Sequence, residues 1–157
     1  MIARKALPSD APAMADLLNR IIAIGGTTAH ETAKSPDHIR EHYIDGAGTI
    51  TCVVAEDAGR VIGWQSIGWS HDEPHIGSFV DPEVQAKGTG AVMFALTRDL
   101  ALQAGLTEII ASIRADNIPG LAYYARIGFV DIRHEPDFAL STGQITGRIT
   151  RRYPLSA

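Results

Sequence analysis

Residues 85–90 read QAKGTG and join a strand-like run, HIGSFVDPEV, to a helix-like run, AVMFALTRDLALQAG. A glycine-rich turn between strand and helix aims free backbone N–H groups at one point. Together with the helix dipole, those donors favour a phosphate or pyrophosphate. Gly88 and Gly90 lack the Cβ atoms that would hold such a ligand away. Lys87 either screens the anion or is simply solvated, and the turn by itself is equally consistent with a structural role. It has neither the G-x-x-x-x-G-K-[ST] order of a P-loop nor the full G-x-G-x-x-G of a dinucleotide site.

Further chemistry-bearing side chains lie on either side. Tyr123 and Tyr124 are neighbours on a short helical segment, so their rings leave the helix roughly 100° apart. His75 can exchange a proton near neutral pH. Glu73, two residues earlier, shares its face if the strand reaches back that far; otherwise Asp72-Glu73-Pro74 is a solvated turn. The single cysteine, Cys52, lies in the apolar run ITCVVAE and reads as a core thiol rather than a nucleophile. No G-x-S-x-G site is present.

The elements that must position these groups are legible in outline. Ile2 to Lys5 can open as a strand. Ser9 and Asp10 are N-cap candidates ahead of the one-faced series Met14, Leu17, Leu18, Ile21 and Ile22, which Gly25-Gly26 can end. Ser35 and Pro36 start a second helix. ITCVVAE, DAGR and VIGWQSIGWS read as a hairpin, and HIGSFV continues the sheet. After the glycine loop, Val92, Leu96, Leu100 and Leu102 predict an apolar helical face closed by Gly105. LTEIIASIR is a fifth strand, Pro119 starts a short helix ending near Gly128, FVDIRHE is extended and QITGRITRRY is a last strand. The order β-α-α-β-β-β-α-β-α-β-β predicts one mixed α/β sheet covered by helices, in a single domain spanning residues 1–157.

Composition narrows the function classes. With 18 acidic against 14 basic residues the formal charge is -4, which argues against broad binding to nucleic acid. The basic cluster Arg148, Arg151 and Arg152 sits in an alternating run and reads as decoration of an exposed strand. No apolar stretch approaches the roughly 20 residues needed to cross a bilayer, and the N-terminus lacks a signal-peptide core. A cytoplasmic protein is the expectation.

The downstream run Asn117-Ile-Pro-Gly-Leu-Ala-Tyr-Tyr-Ala-Arg-Ile-Gly-Phe129 adds a second signature to the glycine loop. Gln85, Gly88 and Gly90 match [QR]-x-x-G-x-[GA]; Asn117 precedes a short helix with Tyr124, Gly128 and Phe129 as Y-x-x-x-G-F. In this order, separated by a helix and an apolar strand, the two resemble the GNAT acetyltransferase superfamily. The likeness runs from Ile50 to Glu135, and the amino-terminal helices fit the family plan. It implies a mostly antiparallel α+β sheet, splayed at an acetyl-CoA site, and no metal. The amides of Gln85, Ala86, Lys87, Gly88, Thr89, Gly90 and Ala91 would cradle the CoA pyrophosphate. Phe79, Val80 and Asp81 would offer backbone groups to the pantetheine, and Asn117 would support that arm or the acceptor. Asn117 can instead cap its loop. A homodimer is a further family expectation.

Acetyl transfer from a thioester to an amine needs a neutral amine, a stabilised oxyanion and a protonated departing thiolate. Tyr124 matches the family tyrosine that protonates the thiolate. His75 occupies the place of a glutamate base found in several relatives, and Glu73 is the second candidate. The segment from Ile21 to Glu31 resembles the acceptor border of phosphinothricin and amino-acid N-acetyltransferases, with Thr28 and Glu31 as matching residues and His30 adjacent. Trp64 and Trp69 are either pocket walls or core, and His134-Glu135 is a possible pocket edge. The expected activity is N-acetylation of a small primary amine, an amino acid or phosphinothricin-like analogue. The alternatives are acetylation of a protein N-terminus or lysine, and a CoA-sensing module without turnover.

Overall fold

A computed structural model describes residues 1–84 and 87–156. The elements follow the expected order. Strands are β1 (Ile2–Lys5), β2 (Thr49–Asp57), β3 (Arg60–Ser70), β4 (Glu73–Val80), β5 (Glu108–Arg114), β6 (Val130–Glu135) and β7 (Arg148–Pro154). Helices are α1 (Ala11–Ile24), α2 (Pro36–Ile39, running into a wider turn over Arg40–Ile44), α3 (Thr89–Gln103) and α4 (Ile118–Arg126). The seven strands form one sheet, β1-β2-β3-β4-β5-β7-β6. Every pairing is antiparallel except β4 with β5, which run parallel and meet in register only at His75 and Ile110.

Two layers of helices cover the sheet, as an amphipathic sheet of this width requires. On one face α1 buries Met14, Leu17 and Leu18 against Cys52, Val54 and Trp64. The Trp64 indole N–H donates to the Met14 carbonyl at 3.1 Å, so this tryptophan is core, while Trp69 lies exposed at the end of β3. The other face packs α3 and α4 through Phe94, Tyr124 and Phe129. Cys52 is buried, and desolvation pushes its thiol up to about 12, which removes it as a nucleophile at neutral pH.

Local chemistry corrects several boundaries. Asp10 does not cap α1 with its side chain; its carboxylate accepts from Arg4 at 2.8 and 2.9 Å and from the Leu7 amide at 2.7 Å. A charge-assisted fork to arginine outcompetes a capping bond. Ser35 does cap α2, accepting from the His38 amide at 3.1 Å. The deepest face of α3 is Met93, Phe94, Thr97 and Ala101; Leu96, Leu100 and Leu102 are only partly buried. The small side chains at 97 and 101 let the helix settle close to the sheet, rotating its face from the one the leucines suggest. β4 begins at Glu73, paired with Ser70, so the tight turn is His71-Asp72, both at positive φ. The last strand starts at Arg148, because Gly143 and Gly147 turn the preceding segment at φ 92° and 72°.

Candidate active site

The partial β4–β5 pairing makes the site. β3 pairs every residue of β4 from Glu73 to Val80, so one edge of that strand is satisfied throughout. Its other edge meets β5 only at His75 and has no strand partner beyond it. The backbone groups that point that way are left for a ligand or water. A cavity of about 730 Å³ fills the gap, within the range of small-molecule sites. Its walls include Ser78, Phe79 and Val80 of β4, Ser112 and Arg114 of β5, Gly88, Thr89 and Gly90 at the start of α3, and Tyr123 and Tyr124 of α4. Thr28, His30 and Asn117 also face it. Arg114, Arg126 and Arg148 line it, with no carboxylate among the described lining residues.

The glycine loop has a different internal logic from the one its sequence suggests. Gly88 sits at φ +85°, a left-handed conformation that disfavours any side chain, with open space around it. Gly90 is bare for another reason. A Cβ there would strike the Tyr123 ring, so this glycine makes room for α4 rather than for a ligand. The first bond inside α3 runs from the Val92 amide to the Gly88 carbonyl at 2.9 Å, so the amides of Thr89, Gly90 and Ala91 precede the helical ladder. Lys87 is exposed, and Gln85 and Ala86 lie outside the described residues.

The two tyrosines are not divided by their 100° offset. Both line the cleft, with ring centroids 5.0 Å apart. The Tyr123 hydroxyl donates to the Gly90 carbonyl at 2.9 Å and accepts from the Gln65 amide at 3.0 Å. Gln65, wholly buried on β3, also donates to Ser78 Oγ at 2.8 Å, and Tyr124 reaches the same Ser78 oxygen at 2.8 Å. Burial raises both phenols above their ordinary value, Tyr124 the more strongly, so each keeps its proton at neutral pH. Gln65 and Ser78 went unread in the sequence because a lone polar residue in a strand carries no spacing signal.

Other expected site residues hold the frame together. The Asp81 backbone already has partners within the chain: its N–H donates to the Ile62 carbonyl at 2.8 Å and its carbonyl accepts from the Val84 amide at 3.1 Å. Its buried carboxylate accepts from Arg20 at 2.7 and 2.9 Å and from Arg60 at 3.0 Å. The Arg20 guanidinium holds that carboxyl down to about 2. Asn117 spends its side chain on capping α4, accepting from the Gly120 amide at 3.0 Å, and on donating to the Thr27 carbonyl at 3.0 Å. Arg114 clasps the neighbouring residue, donating to the Thr28 carbonyl at 2.9 Å. Glu31 is turned from the cleft towards the loop after β6, where it accepts from Ser141 Oγ at 2.5 Å and from the Thr142 amide at 3.2 Å.

His75 and Glu73 share a face of β4, Nε2 to Oε1 at 3.6 Å, but neither lines the cavity. Burial lowers the His75 imidazole. The imidazole within the cleft is His30, 3.3 Å from the Tyr43 hydroxyl and tilted against Phe79. Burial pushes it below its ordinary 6.5, so it is neutral at pH 7. Glu135 enters only indirectly, gripping Arg148 at 3.0 Å through each carboxylate oxygen.

Among the described residues, a seven-stranded sheet opened between two parallel strands, with a helix N-terminus at the opening, makes this a mixed α/β protein with a small-molecule cleft. The profile of the acetyltransferase (GNAT) family matches residues 15–129, and the chain belongs to that family. A mycothiol acetyltransferase of Clavibacter michiganensis subsp. michiganensis is 35% identical over 98 residues, covering 60% of this chain and 31% of that protein. The chain thus matches about a third of the length of that curated relative. Among solved structures, the yncA acetyltransferase of Salmonella typhimurium with acetyl-CoA superposes with a TM-score of 0.82 at 20% identity, over 98% of this chain and 93% of that one. A phosphinothricin acetyltransferase of Sinorhizobium meliloti, in complex with acetyl-CoA, gives 0.80 at 23% identity, over 98% and 88%. No helix among the described residues is long and apolar enough to cross a membrane.

Proposed function

We propose that this chain transfers the acetyl group of acetyl-CoA to the primary amine of a small molecule, an amino acid or phosphinothricin-like analogue, by direct attack. The observation that carries this reading is the unpaired edge of β4 beyond His75, which opens beside the α3 N-terminus. A pantetheine arm is long, thin and studded with amides, and a bare strand edge suits it. The amides from Lys87 to Ala91, at the positive end of the α3 dipole, would meet the pyrophosphate. Phe79 and Val80 would offer the pantetheine their backbone groups, and Arg126 would favour the phosphates, while Arg114 and Arg148 are held by Asp116 and Glu135. Acetyl-CoA supplies an activated thioester carbonyl; the chain's residues orient it, exclude water and manage protons.

Tyr124 lines the cleft and keeps its proton, so it would supply the proton that a departing thiolate needs. His30 is the first candidate for taking the amine's proton, because it is neutral and faces the cleft. His75 lies on the Phe79 face of β4, about 13 Å down the strand, and would act only through water, with Glu73 behind it. Thr28 borders the acceptor end. Glu31 supports that border from outside rather than meeting an ammonium. Sequence similarity to a mycothiol acetyltransferase supports a small acceptor.

An amine panel with detection of the released thiol tests the reading. A narrow set of small primary amines consuming acetyl-CoA is the expected result. Preference for peptides would turn it towards protein acetylation, and tight CoA binding with no acceptor would turn it towards sensing.

A further inference from the structure

The hydrogen bonds beneath the cleft fix where protons sit, and they single out Ser78. The Gly90 carbonyl can only accept, so the proton of Tyr123 is committed to it at 2.9 Å. Tyr123 must then accept from Gln65, which orients the Gln65 amide with its NH2 group towards the cleft. That same nitrogen donates its second proton to Ser78 Oγ at 2.8 Å. Ser78 and Tyr124 are joined by one hydrogen bond of 2.8 Å but own two hydroxyl protons. One proton is therefore left over, with the cleft and the nearby Tyr123 oxygen as its acceptors. Ser78 is partly buried on the β4 wall of the cleft, whereas Tyr124 is only 7% exposed.

Resting on the acetyltransferase reading above, we infer that Ser78 is the hydroxyl that meets the departing sulfur, and that Tyr124 acts through it. As the tetrahedral adduct collapses, the C–S bond breaks and its electron pair stays on sulfur. Sulfur takes the Ser78 proton, Ser78 Oγ takes the Tyr124 proton, and the proton shed by the amine returns to Tyr124 through solvent. Gln65 and Tyr124 together fill both lone pairs of Ser78, so its remaining O–H can turn from the Tyr123 oxygen to a sulfur in the cleft. Tyr124 is a positioning and supplying residue in this scheme; Ser78 is the catalytic one.

Ser78→Ala, Tyr124→Phe and the double variant decide it, with Ser78→Thr as the variant that keeps a hydroxyl. Each is compared for kcat, for acetyl-CoA KM and for the thiol pKa of bound CoA, read from thiolate absorbance. Each single removal should lower kcat about 100-fold, the double should fall no further, and Ser78→Thr should restore most of the loss. In Ser78→Ala the bound thiol pKa should rise, because the thiolate loses its donor. Wild-type turnover and wild-type thiol pKa in Ser78→Ala, with Tyr124→Phe impaired, would overturn the inference and return the contact to Tyr124. Losses that multiply in the double variant would overturn the relay. If CoA binds but no amine is acetylated, the enzyme reading fails while the thiol pKa still judges Ser78. Absence of CoA binding would sink both.

Discussion

The two edges of β4 form a contrast within a single strand. Towards β3 all eight of its residues are paired, Glu73 with Ser70 through Val80 with Gly63. Towards β5 only His75 finds a register partner. β5 in turn is paired along its whole length with β7, Glu108 with Pro154 through Arg114 with Arg148. The sheet is therefore two well-zipped halves meeting at a seam that closes at one end and opens at the other. A native sheet rarely leaves backbone groups without partners, so the open end is where a partner from outside belongs. Asp81 and its arginines anchor the strand just beyond the opening, while Gln65 and the tyrosines furnish its floor.

Perturbations aimed at the seam should cost function, and those aimed at the zipped halves should cost stability. The largest effect falls on the floor: Tyr124→Phe should lower kcat about 100-fold with little change in acetyl-CoA affinity by calorimetry. Equal turnover would remove Tyr124 from the proton path. Next comes the loop, where valine at position 88 must adopt a left-handed φ of +85°. Gly88→Val should weaken acetyl-CoA binding about tenfold, each tenfold being about 1.4 kcal/mol; unchanged affinity would count against the loop as cradle.

On the zipped side, Asp81→Asn should lower stability by about 2 kcal/mol at pH 7 in denaturant titrations. Its depressed pKa sets the sign. The contribution is complete above the ordinary 3.8 and lost as pH falls through about 2, so wild type and variant should converge in acid. The smallest effect is a change of profile. Because His30 is held below 6.5, the acid limb of kcat/KM should lie below that value and disappear in His30→Gln. An unmoved limb in His30→Gln that vanishes in His75→Gln would hand the base role back to β4.

How much of this the sequence disclosed follows from the range of each interaction. Apolar periodicity and Gly/Pro punctuation are local, and every strand and helix was legible in order from them. The glycine loop and the Asn117–Phe129 run were legible as a pair because each carries a fixed spacing. Long-range facts were not. Asp10 is captured by Arg4 and Asp81 by Arg20, contacts that no spacing encodes. Gly90 reads as a ligand glycine until Tyr123 is seen lying over it, 33 residues away. Glu31 resembles an acceptor-binding carboxylate until the loop at Ser141 arrives from the far end of the chain.

A crystal structure with acetyl-CoA is the measurement that tests the central claim most directly. The account predicts the pantetheine lying along the free edge of β4, between Ser78–Val80 and Ser112–Arg114, with its pyrophosphate over the amides that open α3. Acetyl-CoA bound elsewhere, with the seam empty, would contradict it.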